Sequence, residues 1–127
     1  MTARAAGTFE VKLTPQEQTV PVGRMQLDKT FSGDLTGISQ GEMLAFGTAI
    51  PDSAGYVALE KVTATLAGRS GSFALQHFGV MNRGVPSLTI QVVPDSGTDQ
   101  LEGLSGTMTI YRSDGVHKYV LEYELPT

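Results

Sequence analysis

Glu60 and His77 are two groups able to hold or move a proton, and both stand in the stretch LEKVTATLAGRSGSFALQHFGVM (59–81) at positions that alternate with apolar residues. A carboxylate on an apolar face has its pKa raised by its surroundings, which is how general acids and bases are tuned. The bland alternative is a charge-balanced contact with Lys29 or His77 that fixes the register of a sheet. His77 likewise either shares a proton with Glu60 or holds a ligand's polar head, or is a core histidine with its hydrogen bonds satisfied. Lys29 poses the same question, because Met25, Leu27, Lys29 and Phe31 alternate with Arg24, Gln26, Asp28 and Thr30. It either neutralises a ligand carboxylate or packs its stem inside and carries its ammonium to the rim, and the rim is expected. Glu42 is a further ligand-binding candidate whose facing stays open, since Gly41, Ala45 and Gly47 blur the alternation around it. Tyr56, Tyr119 and Tyr123 are expected to pack the interior, with hydroxyls available to orient a ligand. Arg112 and His117, close to an Asp-Gly turn, are expected at a solvated end.

These candidates must be positioned by strands. Fifteen Gly, six Pro and many Thr, Val, Ser and Ile oppose long helices and suit pleated segments broken by turns. Period-2 alternation predicts eight strands, near 5–13, 24–32, 35–50, 55–68, 71–82, 87–94, 104–113 and 116–125. The stretches SGDL, PDSAG, GRSG, NRGVP, PDSGTD and SDG punctuate them, and TPQEQTVPVG and PDSGTDQLEG are the longer irregular connections. Antiparallel strands at such spacing leave two architectures open, a sandwich or a closed barrel.

Two hairpins acquire a register. Asp114-Gly115 is a strong type I′ signal, and it pairs Ser113 with Val116, Ile110 with Tyr119, Met108 with Leu121 and Gly106 with Tyr123. The same test applied to GRSG makes Arg69-Ser70 the turn and pairs Leu66 with Phe73 and Val62 with His77. Glu60 then faces Gly79, which leaves it space, and Glu60 and His77 become diagonal neighbours with Cα atoms about 7 to 8 Å apart.

The 127 residues suffice for one domain, expected to span 1–127. Nine Lys and Arg against thirteen Asp and Glu give a formal charge of −4 without a basic block, which argues against nucleic acid as a partner. The absence of Cys excludes thiolate catalysis and Cys-based zinc sites, and two His supply multi-His metal sites poorly, so neither metal nor cofactor is expected. GRSGS and PDSGTDQ lack the order and the following helix of a phosphate loop, and no Gly-x-Ser-x-Gly stands on a strand-to-helix turn, the elbow that a serine hydrolase needs. MTARAAGTFEVKL has no apolar signal-peptide core and no run reaches roughly 18 apolar residues, so a cytoplasmic protein without a membrane partner is expected.

The ordered blocks GTFEVKL, DKTFSGDLTGISQGEML, GTAIPDSAGYVALEKVTATLAGRSGSFALQHFGVMNRG and VVPDSGTDQLEGLSGTMTI cover nearly the whole chain. In them the sequence resembles the small bacterial proteins of the DUF3224 family. That family in turn resembles the allene oxide cyclase barrel, eight antiparallel strands around an elongated apolar cavity, related in shape to dirigent proteins. The resemblance thus implies an all-β, eight-stranded antiparallel barrel rather than a sandwich. Plant allene oxide cyclases act mainly by confining an unstable epoxide, and none of their residues is carried over onto this chain.

Three functional classes follow. The leading expectation is a barrel that binds a small apolar or oxygenated ligand in its cavity. The second is an isomerase or cyclase in which Glu60 and His77 handle protons or charge. The third is a non-catalytic protein that self-associates. A homo-oligomer is expected in any case, because Val57, Leu59, Phe78, Val80 and Val93 lie opposite the proposed inner face.

Overall fold

A computed structural model describes residues 2–126. Eight strands run in sequence order: β1 Ala3–Pro15, β2 Gly23–Gly33, β3 Leu35–Gly47, β4 Ala54–Leu66, β5 Arg69–Asn82, β6 Val85–Val92, β7 Ser105–Ser113 and β8 Val116–Glu124. Each pairs antiparallel with the next and β8 returns to β1, so the sheet is a closed barrel and not a sandwich. The sole helical element among the described residues is a single 3₁₀ turn at Asp99–Leu101. Alternation decides what faces inward: on β4, Ala58, Glu60, Val62, Ala64 and Leu66 are buried while Val57, Leu59, Lys61 and Thr63 are exposed.

Turn chemistry sets the register. The Asp114-Gly115 hairpin pairs Ser113 with Val116, Ile110 with Tyr119, Met108 with Leu121 and Gly106 with Tyr123, as its sequence predicts. The β4–β5 hairpin differs from expectation. Its turn is Ala67-Gly68, not Arg69-Ser70, and Leu66 pairs with Arg69, Val62 with Phe73 and Ala58 with His77. A type I′ turn needs positive φ at both central residues. Gly68 meets this freely at +86° and Ala67 accepts +48°, whereas Arg69-Ser70 would have put two side-chain-bearing residues there. Gly71 is needed for another purpose, because a Cβ on it would fall 2.2 Å from the Thr98 carbonyl oxygen. Val62 meets Phe73 instead of His77, an even displacement, so every side chain keeps its face. Gly79 lies opposite Tyr56 and not opposite Glu60.

The two ends of the barrel differ. At one, Leu35, Leu66, Leu101, Leu104 and Tyr119 are at most 1% exposed and seal the interior. The plug comes from residues 93–104, which continue along the β5 edge after β6 ends. The Ala74 amide donates to Ser96 Oγ, the Ser72 amide to Thr98 Oγ1 and the Ser70 amide to Gln100 Oε1, at 3.0, 3.0 and 2.8 Å. The other end is a mouth, where the inward residues Leu13, Met81 and Leu88 are still about two-fifths exposed. β6 and β7 pair only through Ile90–Met108 and Gln91–Thr107, so these two strands separate toward the mouth.

Ala67 carries the strain of a left-handed conformation that asparagine accepts more readily. Ala67→Asn is expected to raise the unfolding free energy by about 0.5–1 kcal/mol, read by thermal and urea denaturation. An unchanged or lowered stability would contradict the turn assignment.

Candidate functional site

A layer of polar side chains crosses the middle of the barrel between the sealed core and the mouth. Glu60 is its centre. Its Oε2 accepts from Lys29 Nζ at 3.0 Å and lies 2.6 Å from His77 Nε2, and its Oε1 accepts from the Ser39 hydroxyl at 2.6 Å. Four neighbouring strands supply these groups: β2 gives Lys29, β3 Ser39, β4 Glu60 and β5 His77. All four residues are buried, and among the described residues no buried side-chain polar atom lacks a partner. The ladder explains the convergence. Lys29 pairs with Ser39 and Ser39 with Val62, the inward residue next to Glu60, while Ala58 pairs with His77.

His77 and Glu60 remain diagonal neighbours in the true register, as the sequence predicts, and their side chains meet. From His77 the chain of contacts continues outward, since Nδ1 lies 3.2 Å from the Tyr56 hydroxyl. The Tyr56 ring lies across Gly79, where a Cβ would come within 2.2 Å of it. Glycine at 79 therefore makes the position of Tyr56 available.

Electrostatics corrects one expectation. Burial alone pushes the Glu60 pKa up, but the hydrogen bond from His77, the charge and hydrogen bond of Lys29 and the hydrogen bond from Ser39 outweigh it and hold the carboxyl at about 2. Glu60 is thus an ionised anchor, not a carboxylic acid with a raised pKa. Lys29 corrects another. Its head does not reach the rim but lies against Glu60 on a side chain only 3% exposed, with Nζ 4.9 Å from the centre of the Phe9 ring and 5.8 Å from that of Phe31. A buried carboxylate offers the ammonium a better partner than water does, and two ring faces supplement it.

Two further candidates lie elsewhere. Glu42 faces outward and is exposed, where it forms a forked ion pair with Arg24 that holds its carboxyl below the ordinary range. Tyr119 sits toward the sealed end. Its hydroxyl accepts from the Leu35 amide at 2.9 Å and lies 3.0 Å from the carbonyl oxygens of Ser32 and Leu35, so it ties β8 to the β2–β3 turn. Arg112 and His117 pair beside the Asp114-Gly115 turn at the mouth, as expected, with the His117 imidazole stacked 5.1 Å from Phe9. Ser39 is the member that sequence reasoning missed. Its signal is its parity with Leu35, Gly37, Gly41 and Met43, a small hydroxyl at an inward position of β3.

The comparisons with known proteins agree with this architecture. The model for "Protein of unknown function (DUF3224)" matches residues 5–123. The chain belongs to the DUF3224 family. It is similar over its full length to a crystal structure of a DUF3224 protein of unknown function from Shewanella oneidensis MR-1. The two share 47% identity, with 100% of this chain and 99% of that one covered and a TM-score of 0.96. No curated protein matches the chain. The DUF3224 resemblance seen in the sequence blocks is thereby established.

Removing the Glu60 charge leaves the buried Lys29 ammonium and the His77 ring without their carboxylate. Glu60→Gln is expected to cost about 3–5 kcal/mol, measured by urea unfolding at pH 7. The pH dependence follows from the sign of the shift. A carboxyl whose folded pKa is lowered contributes stability that is present above its unfolded pKa and lost as pH falls through the folded one. With 4.5 and about 2 as those limits, the Glu60 contribution of about 3 kcal/mol fades between about pH 5 and pH 2. The gap between wild type and Glu60→Gln should narrow over that window, and a gap independent of pH would refute the assignment.

Proposed function

We propose that this protein binds a small, largely apolar molecule in the mouth of its barrel, and that it does so in the cytoplasm. The observation that carries this reading is a pocket of about 360 Å³ between β3, β4, β5 and β6. Met43, Ala45, Met81 and Leu88 contribute apolar walls, and Tyr56 over Gly79 forms the floor. Such a volume is at the small end of ligand sites, and a lining that is almost wholly apolar suits an apolar ligand. The plug at the far end supports the reading, because a sealed core gives the mouth a rigid base.

A second reading is favoured by the contact chain Tyr56–His77–Glu60. A phenol hydroxyl beneath an apolar pocket, backed by an imidazole and an ionised carboxylate, is an arrangement suited to holding or transferring a proton, as an isomerase requires. In this reading Tyr56 touches the substrate, while His77 and Glu60 act through it. Lys29 then serves by balancing Glu60, and Glu42 and Tyr119 have no part.

Self-association is a separate proposal and rests on the outer face. Val57 pairs with Leu44 and Phe78, and Leu59 and Val80 lie beside them, all outward and 39–60% exposed. A contiguous apolar area on adjacent strands is the kind of surface that two copies bury against each other. Light scattering should show a dimer or larger species that the Leu59→Lys, Phe78→Lys variant lacks. A monomeric wild type at high micromolar concentration refutes it.

The binding reading is tested with the neutral fluorescent probe N-phenyl-1-naphthylamine. The wild type should enhance its emission saturably. Ala54→Trp places a large ring at an exposed inward position of the pocket, and should weaken the probe at least about tenfold while changing stability by no more than about 0.5 kcal/mol. Binding that Ala54→Trp leaves untouched would place the probe elsewhere and remove the support for the mouth.

A further inference from the structure

We infer that the open end of the barrel docks on a lipid bilayer, with the lip around the mouth seated among the headgroups and the upper acyl chains. The inference goes beyond the binding reading and rests on it in one respect only, that the bilayer is then the source of the apolar ligand.

Four connections surround the mouth: residues 16–22, 48–53, 83–84 and 114–115. Each carries or adjoins an exposed large apolar side chain. Val20 stands on the first, Ile50 on the second with Phe46 beside it, Val85 directly after the third, and Tyr111 and Val116 on the strands that flank the fourth, all 42–68% exposed. Among the described residues, the connections of the sealed end, 34, 67–68 and 93–104, expose no large apolar side chain. Scattered exposed apolar residues are ordinary on a protein surface, but their collection on one rim is not. Three of the four connections share a dipeptide, Val20-Pro21, Ile50-Pro51 and Val85-Pro86, and all six of these residues are exposed. Proline has no amide hydrogen, so each tip brings one donor fewer to be stripped of water in an apolar medium. The Ile50 loop also satisfies its own backbone: the Ile50 amide donates to Thr48 Oγ1, the Ser53 amide to the Ile50 carbonyl and the Thr48 amide to the Ser53 carbonyl, each at 3.2 Å. A bond of 3.0 Å from the Gly84 amide to the Asp52 carbonyl ties this loop to the next connection. Ile50 is thus held outward on a braced loop.

Charge decides which end meets the lipid. Near the sealed end Asp34, Asp95, Asp99, Glu102, Glu122 and Glu124 outnumber Arg4 and Arg69, whereas around the mouth Glu17, Glu42, Asp52 and Asp114 are matched by Lys12, Arg24, Arg83 and Arg112. The formal charge of −4 is therefore that of the sealed end, which a neutral or anionic membrane does not attract. The mouth offers a balanced, apolar rim instead. A second copy fits it less well, because the lip is a ring of separate projecting tips around an opening, while two protein faces bury each other through a continuous patch such as the outer face of β3, β4 and β5. No run of the sequence announces the lip, since the fold assembles it from four distant connections.

The experiment is flotation with phosphatidylcholine vesicles, with and without phosphatidylglycerol. The wild type should float with both, nearly independently of salt, because apolar insertion drives the docking. The variant Val20→Ser, Ile50→Ser, Val85→Ser, Val116→Ser should lose at least about tenfold in partition while its thermal unfolding stays close to that of the wild type. Orientation is read by fluorescence, since the chain has no Trp. Ile50→Trp should shift to the blue on vesicles and be quenched by brominated acyl chains, and Thr107→Trp, exposed toward the sealed end, should do neither. Absence of flotation, binding that needs phosphatidylglycerol and vanishes in salt, or quenching at 107 overturns the inference. A dimer that the four serines dissolve and Leu59→Lys, Phe78→Lys does not would give the lip to a second copy and overturn it as well. Binding of N-phenyl-1-naphthylamine in free solution reports the pocket separately: if it fails while the vesicles still bind, the binding reading falls and the docking stands.

Discussion

A carboxylate enclosed in the middle of a small barrel must be ionised and balanced, or it must be neutral, and the rest of the inner layer follows from which of these holds. Glu60 is ionised because three side chains from three other strands aim hydrogens at it. Each of those strands can present its donor only in one register, since a slip of one residue would turn Lys29, Ser39 or His77 outward and bring an outward residue in. The cluster therefore locks β2, β3, β4 and β5 to one another in a way that apolar packing, which tolerates sliding, does not. It also brings a cost of desolvation, and the aromatic faces of Phe9 and Phe31 around the ammonium reduce that cost without adding charge.

Closure of the barrel has a complementary weakness. Hairpins join every consecutive pair of strands except β6 and β7, where residues 93–104 intervene and only two ladder pairs form. The intervening segment hydrogen-bonds to the β5 edge and drops Leu101 and Leu104 into the core, so the barrel is held firmly at one end. At the other end Leu88 and Ile110 belong to strands that no longer pair across this seam. The same connection that seals one end thus leaves the opposite end without ladder pairs between β6 and β7.

Much of this was legible in the sequence, for reasons that particular residues show. Strand positions followed from alternation and turn residues, and the Asp114-Gly115 register followed from a dipeptide suited to two positive φ angles. The β4–β5 register was misplaced because GRSG holds two glycines, and spacing alone does not say which one makes the turn. Gly71 is small for the sake of Thr98, a residue distant in sequence, and that is a tertiary fact. The faces survived the error because side-chain facing depends only on parity. Barrel closure was not legible in strand spacing and entered through the family resemblance.

The polar residues were legible as inward but not in their state. Parity placed Glu60, His77 and Lys29 on apolar faces, yet the protonation of Glu60 depends on how many donors reach it, and those come from separate strands. Counting one partner suggests a raised pKa; finding three reverses it. Lys29 was expected at the rim for a related reason, since a lysine without a located partner is best solvated. Glu42 shows the converse: the glycines and alanine around it hid its parity, and its partner Arg24 lies on the preceding strand, where the ladder sets Gln26 against Glu42.

The consequence for chemistry is that the most reactive-looking residue in the sequence is the one least available to a ligand. Glu60 is fully enclosed, and its contact with the residues of the mouth runs through His77 to Tyr56. Each contact is set from beneath: the ionised carboxylate takes a hydrogen from His77 Nε2, which leaves Nδ1 facing the Tyr56 hydroxyl.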